Sequence, residues 1–154
     1  MAVHAILWRR KPRRQIQACR TGGNPLSPKT YIQEFAGKRI LIVEDEYFLA
    51  AETRRKLEKL GAHVVGPTGR VREALDLIEL DNVDAAILDI HLGDELVFPV
   101  AEQLSLLDIP FVFATGYDPS IIPKTFTGFA LCEKPTELEA IARQLFGPGT
   151  DGMS

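Results

Sequence analysis

A chain of 154 residues with 45% hydrophobic and 25% charged side chains has the makeup of one globular domain of ordinary size. No run nears the roughly 20 consecutive apolar residues of a membrane helix, and two cysteines, Cys19 and Cys132, are too few for a disulfide framework. The net charge of −3 is unevenly spread: residues 1–38 carry eight basic side chains against Glu34 alone, whereas residues 39–154 carry ten basic against twenty acidic.

The chain opens on "MAVHAILW" followed by "RRKPRR". A secretory signal has the opposite order, basic before apolar, so none is expected. "TGGNPLSPKT" (21–30) is dense in turn and breaker residues, and residues 1–37 show no sustained apolar period. They are expected to form a basic, disordered extension whose loss leaves stability nearly unchanged. Charge alone would let it touch nucleic acid, but nothing else supports specific nucleic-acid binding.

From Lys38 the pattern changes. "RILIV" (39–43) is a short, fully apolar, β-branched run, as in a strand covered on both faces. "YFLAAETRRKLEKLG" carries Phe48, Leu49, Leu57 and Leu60 at helical spacing and ends on Gly61. "AHVVG" (62–66) is a second strand, and "VREALDLIEL" (71–80) a helix with Val71, Ala74, Leu75 and Ile78 on one face. The intervening "GPTGR" (66–70) reads as a turn. "DAAILDI" (84–90) is a third strand, "PVAEQLSLLD" (99–108) a helix with Pro99 in its first turn, and "PFVFAT" (110–115) a fourth strand. "FALCEK" (129–134) is a fifth strand, and "TELEAIARQLF" (136–146) a last helix, with Thr136 and Glu139 spaced as a capping box. "GYDPSIIPKTFTG" (116–128) stands where a fourth helix belongs, but its prolines and glycines predict a loop or at most one turn. The expected fold is α/β, a doubly wound five-stranded parallel sheet with that helix short or absent. Residues 38–147 make the domain, and 148–154 a flexible tail.

Ligands of open parallel sheets bind at the carboxyl ends of the strands. The first strand delivers Glu44, Asp45 and Glu46 there, the third Asp89, the fourth Thr115 and the fifth Lys134. Three carboxylates in one crevice call for a cation, and hard oxygen ligands suit Mg²⁺. A carboxylate beside Mg²⁺ can act as a nucleophile toward a phosphoryl group. A lysine and a hydroxyl can share the charge of its oxygens with the metal. Glu46 reads as a first-turn helix acid, and Cys132 as a small core residue.

With these residues in order at the strand ends, residues 38–147 resemble a response-regulator receiver domain, the phosphoacceptor module of two-component systems. "PFVFATGYD" (110–118) is similar to the "FATGUY" subgroup of single-domain response regulators. The resemblance implies a flavodoxin-like (CheY-like) sheet of order 2-1-3-4-5. It implies Asp89 as phosphoacceptor, and Mg²⁺ bound by Asp45, Asp89 and the backbone carbonyl of His91, with Glu44 acting through water. Thr115 and Lys134 would bind the phosphoryl group and relay the switch. Leu131 occupies the position of the family's aromatic switch residue, so Tyr117 is a candidate substitute.

The implied function is phosphoryl acceptance from a histidine kinase or phosphotransfer protein, read out by contact with a downstream protein, in a cytoplasmic monomer or weak dimer. Two alternatives stand beside it. A Mg²⁺-dependent phosphohydrolase with an Asp nucleophile generally has a second Asp two residues on, where this chain has His91. An unphosphorylated receiver-like binding module typically lacks an acid, the acceptor or the lysine, and none is missing here.

Overall fold

Alternating short apolar strands and amphipathic helices build a layered α/β domain in the computed structural model, which describes residues 29–115, 119–123, 130–133 and 137–147. The elements run α1 (Lys29–Gln33), β1 (Arg39–Val43), α2 (Tyr47–Lys59), β2 (His63–Thr68), α3 (Val71–Leu80) and β3 (Ala85–Leu88). Two short strands follow, β4 (His91–Leu92) and β5 (Glu95–Leu96), then α4 (Phe98–Leu106), β6 (Phe111–Thr115), a 3-10 turn at Pro119–Ile121, β7 (Ala130–Glu133) and α5 (Leu138–Phe146).

The main sheet has the order β2-β1-β3-β6-β7, with every neighbouring pair parallel. Counted without the β4–β5 hairpin, this is the expected order 2-1-3-4-5. The hairpin itself is antiparallel and separate; strands of two residues are too short to leave a period in the sequence. Between β6 and β7 the described residues hold only the single 3-10 turn, in keeping with the expected loop.

Strand side chains alternate between two cores, because successive residues point to opposite faces. Leu41, Val43, Ala86, Leu88 and Phe113 pack with α3 and α4 through Ala74, Ile78, Val100 and Leu104. Ile40, Ile42, Ala85, Ile87, Val112 and Ala114 pack on the other face with Leu57 of α2 and Ile141, Ala142 and Leu145 of α5. Near-continuous apolar strands are what two covered faces require.

The structure corrects three local expectations. The extension expected over 1–37 is ordered over its last nine residues: α1 lies against α5, and Phe35 is fully buried. Its ring meets Phe146 edge-on at 5.2 Å, and the Gly37 N–H donates to the carbonyl of Gly61. One large aromatic at the end of an irregular stretch has no period to announce it. The domain therefore begins no later than Lys29; residues 1–28 and 148–154 lie outside the described residues.

Second, Phe48 points outward. The inward face of α2 runs through Ala50, Thr53, Leu57 and Leu60, which leaves Tyr47 and Phe48 each about three-quarters exposed, as an edge-on pair. Third, α5 has Glu137 at its N-cap without a side-chain bond, one residue later than expected, and Thr136 lies outside the described residues.

Candidate functional site

The register of β1 and β3 makes the site. Val43 pairs with Leu88, so Glu44 and Asp89 leave two adjacent strands at the same level. The Asp89 N–H donates to the Val43 carbonyl at 2.8 Å, which extends the pairing by one bond and fixes the acceptor strand's exit. On the other side, the Glu44 N–H donates to the Thr68 carbonyl at 2.8 Å. Glu44 Oε1 accepts from the Glu46 N–H at 3.1 Å, and Glu46 in turn caps α2 by accepting from the Leu49 N–H at 3.1 Å. Glu46 is thus a cap and not part of the cluster.

Carboxylate oxygens of Glu44, Asp45 and Asp89 lie within 4.8 Å of one another. Asp89 is buried, Glu44 half-buried and Asp45 exposed. Two full charges at that separation repel by about 3 kcal/mol at an effective dielectric of 20, before solvent screening at the open side. Oxygens on opposite sides of a Mg²⁺ ion stand about 4.2 Å apart, and around Ca²⁺ about 5 Å, given the usual metal–oxygen distances. The three carboxylates therefore fit a single divalent cation with little movement, and their hard oxygens match its chemistry.

The remaining expected residues fall in different places. His91 begins β4, two residues past Asp89, half-buried. Thr115 is the last residue of β6; Leu88 pairs with Phe113, so Thr115 stands one residue beyond the level of Asp89 on the adjacent strand. Thr115 pairs with Glu133, the residue before Lys134, while Leu131 pairs with Phe113. Tyr117 and Lys134 lie outside the described residues.

Two glycines border the cluster. A Cβ at Gly69 would stand 2.9 Å from both Cα and Cβ of Asp45, so the β2–α3 turn presses directly on that acid. Gly93, in the β4–β5 hairpin with φ +67°, would place its Cβ 4.0 Å from Asp45 Oδ2. The only sign of Gly69 was a glycine in a turn, which is too common to single out.

No family model matches the chain. Among solved structures, it is similar to SdrG from Sphingomonas melonis Fr1, with 41% identity and a TM-score of 0.62, covering 71% of this chain and 93% of SdrG. A second SdrG structure, in a BeF₃-activated conformation, shares 40% identity at a TM-score of 0.59 and covers 71% of this chain and 94% of that one. The response regulator PhyR from Brucella abortus shares 27% identity at a TM-score of 0.64, over 77% of this chain and 51% of PhyR. The curated sensory transduction protein LytT of Bacillus anthracis is 32% identical over 83 residues, 52% of this chain, and the chain spans about a third of LytT's length (34%).

Proposed function

The chain belongs to the response-regulator receiver family, and from that premise we propose that it is a phosphoacceptor signalling domain that takes a phosphoryl group on Asp89. One observation carries the reading: a buried aspartate is held at a strand end with two further carboxylates close enough to share one cation. A charge cluster of this kind, at the carboxyl edge of a parallel sheet, is poorly explained by structure alone.

In the proposed reaction, an oxygen of Asp89 attacks the phosphorus of a phosphohistidine on a histidine kinase or phosphotransfer protein. A P–O bond forms, the P–N bond breaks, and the imidazole nitrogen leaves with its electron pair. The residues that would hold Mg²⁺ are Asp45, Asp89 and the carbonyl of His91, with Glu44 one water away. When bound, the ion supplies positive charge to the phosphoryl oxygens. The Thr115 hydroxyl would donate to one of those oxygens and the Lys134 ammonium would pair with another. With Leu131 in β7 in place of an aromatic, Tyr117 is the proposed readout residue. SdrG has a BeF₃-activated conformation, and this chain is proposed to switch without turning over a substrate.

Output then runs through protein contact, in a cytoplasmic monomer or weak dimer, with no specific nucleic-acid site. Among the described residues no helix is long and apolar enough to cross a membrane. Incubation with acetyl phosphate and Mg²⁺, followed by intact mass measurement, tests the reading. The expected result is one added phosphoryl group, lost on adding EDTA beforehand and absent in Asp89→Ala. A wild-type protein that takes no phosphoryl group from acetyl phosphate or from a panel of phosphorylated kinases would instead be a receiver-shaped binding module. Steady hydrolysis of unrelated phosphate esters would point to a phosphohydrolase.

A further inference from the structure

Two loops flank Asp45, and a hydrogen bond joins the second of them to the start of α3. The β2–α3 turn lies against Asp45 at Gly69, and in the β4–β5 hairpin a Cβ at Gly93 would stand 4.0 Å from Asp45 Oδ2. Glu95 of the hairpin accepts from the Val71 N–H, the first amide of α3, through Oε1 at 3.1 Å. That amide has no partner within its own helix, because the first four N–H groups of any helix lack one.

Other bonds at this helix start are local. The Thr68 hydroxyl donates to Glu73 Oε1 at 2.6 Å and accepts from the Arg70 N–H at 3.2 Å. Arg70 at the N-cap offers no side-chain bond. The acceptor for Val71 comes instead from 24 residues further along the chain. Its negative charge suits the positive end of the helix dipole.

Glu95 is itself anchored. It pairs with Leu92 across the hairpin, and the Val97 N–H donates to the Ile90 carbonyl at 3.0 Å to close the hairpin's base. The hairpin starts at His91, two residues past Asp89. A swing of the hairpin away from α3 would therefore carry Gly93 off Asp45 and shift the backbone at His91.

We propose that Glu95 is a positioning residue for the cation site, holding the β4–β5 hairpin and the β2–α3 turn closed around Asp45 through the Val71 amide. It touches neither cation nor phosphoryl group. The inference rests on the phosphoacceptor reading above, which gives the acid cluster its cation.

Calorimetric titration of the full chain with MgCl₂ tests it. Glu95→Ala is expected to weaken Mg²⁺ binding by about three- to tenfold, the scale of one partly exposed hydrogen bond, with little change in Tm. Glu95→Gln keeps an acceptor oxygen and is expected to restore most of the affinity, which a purely bulk effect would not. Val71→Pro removes the donor at a position where proline is tolerated, after an Arg70 already extended at φ −127° and ψ 140°. It should weaken binding as much as Glu95→Ala, and the double variant no more than either single one. Wild-type affinity in Glu95→Ala, or losses that add in the double variant, would overturn the proposal. A wild-type protein that binds no Mg²⁺ at millimolar concentration would instead overturn the phosphoacceptor reading beneath it.

Discussion

At the scale of single residues, the site trades stability for readiness to bind charge. Asp89 sits buried with Glu44 and Asp45 oxygens within 4.8 Å, and without a cation these charges oppose one another. Asp89→Asn keeps the shape and removes one charge. In EDTA it should therefore raise stability by about 1 kcal/mol, a few degrees in Tm for a domain of this size. Adding Mg²⁺ should raise the wild-type Tm and move the variant far less, since only a ligand bound to the folded state stabilises it. Thermal melts with and without Mg²⁺ check both; a wild type that melts no lower than the variant in EDTA would mean the three charges do not strain one another. Gly69 has a different sensitivity. A methyl group there meets Asp45 Cα and Cβ at 2.9 Å, so backbone must give way. Gly69→Ala should cost about 1–3 kcal/mol in urea unfolding and weaken Mg²⁺ binding as well. A neutral Gly69→Ala would show that the turn can retreat from Asp45 at no expense.

At the scale of elements, the strands were the most legible part of the chain. Runs such as "RILIV" and "AAIL" are apolar throughout because each is covered on both faces, and each ends where a carboxylate follows. That pattern located Glu44, Asp45 and Asp89 before any coordinate, and the strand register then brought them together. Interactions between elements left no such trace. The Glu95 bond spans 24 residues, the Gly69 contact joins a turn to an acid in an earlier loop, and Phe35 is one ring after a stretch of breaker residues. The burial of Phe35 reverses the expectation that the segment before β1 is dispensable. Phe35 belongs to the core cluster of Ile40, Leu57, Ala62 and Leu145, with its ring against Phe146, and the Lys38 ammonium stands 5.3 Å from the Phe146 centroid. Phe35→Ala should cost about 3 kcal/mol or more, as for other fully buried phenylalanines. A chain starting at Gly37 should melt several degrees below one starting at Lys29, because it lacks the whole of α1 and Phe35. Equal melting temperatures for these two chains would show that α1 contributes nothing to the fold.

At the scale of the whole molecule, the two ends of the sheet have different tasks. Beyond the amino end of β1, α1 and Phe35 tie the chain to α5 and to the end of α2. At the carboxyl end, β1, β3, β6 and β7 stand side by side, so an event at Asp89 can pass sideways across the strands. Strand spacing is about 4.8 Å, so a group on Asp89 is one strand from β6 and two, or about 10 Å, from β7. A threonine hydroxyl is long enough for the first gap, and a lysine suits the second. Thr115 ends β6, and Lys134 follows the residue with which Thr115 pairs. The proposed division of labour follows from that geometry: Asp89 accepts the phosphoryl group beside the cation, and Lys134 reports its arrival to β7 and α5. Lys134→Ala should then still gain one phosphoryl group by mass, since all three acids, the nucleophile Asp89 among them, remain. In amide spectra with Mg²⁺ and BeF₃⁻, the wild type should shift near Asp89 and also along β7 and α5. The variant should shift near Asp89 alone. If resonances of β7 and α5 move in the variant as they do in the wild type, the signal crosses the sheet by another route, and Thr115 on the intervening strand becomes the residue to test.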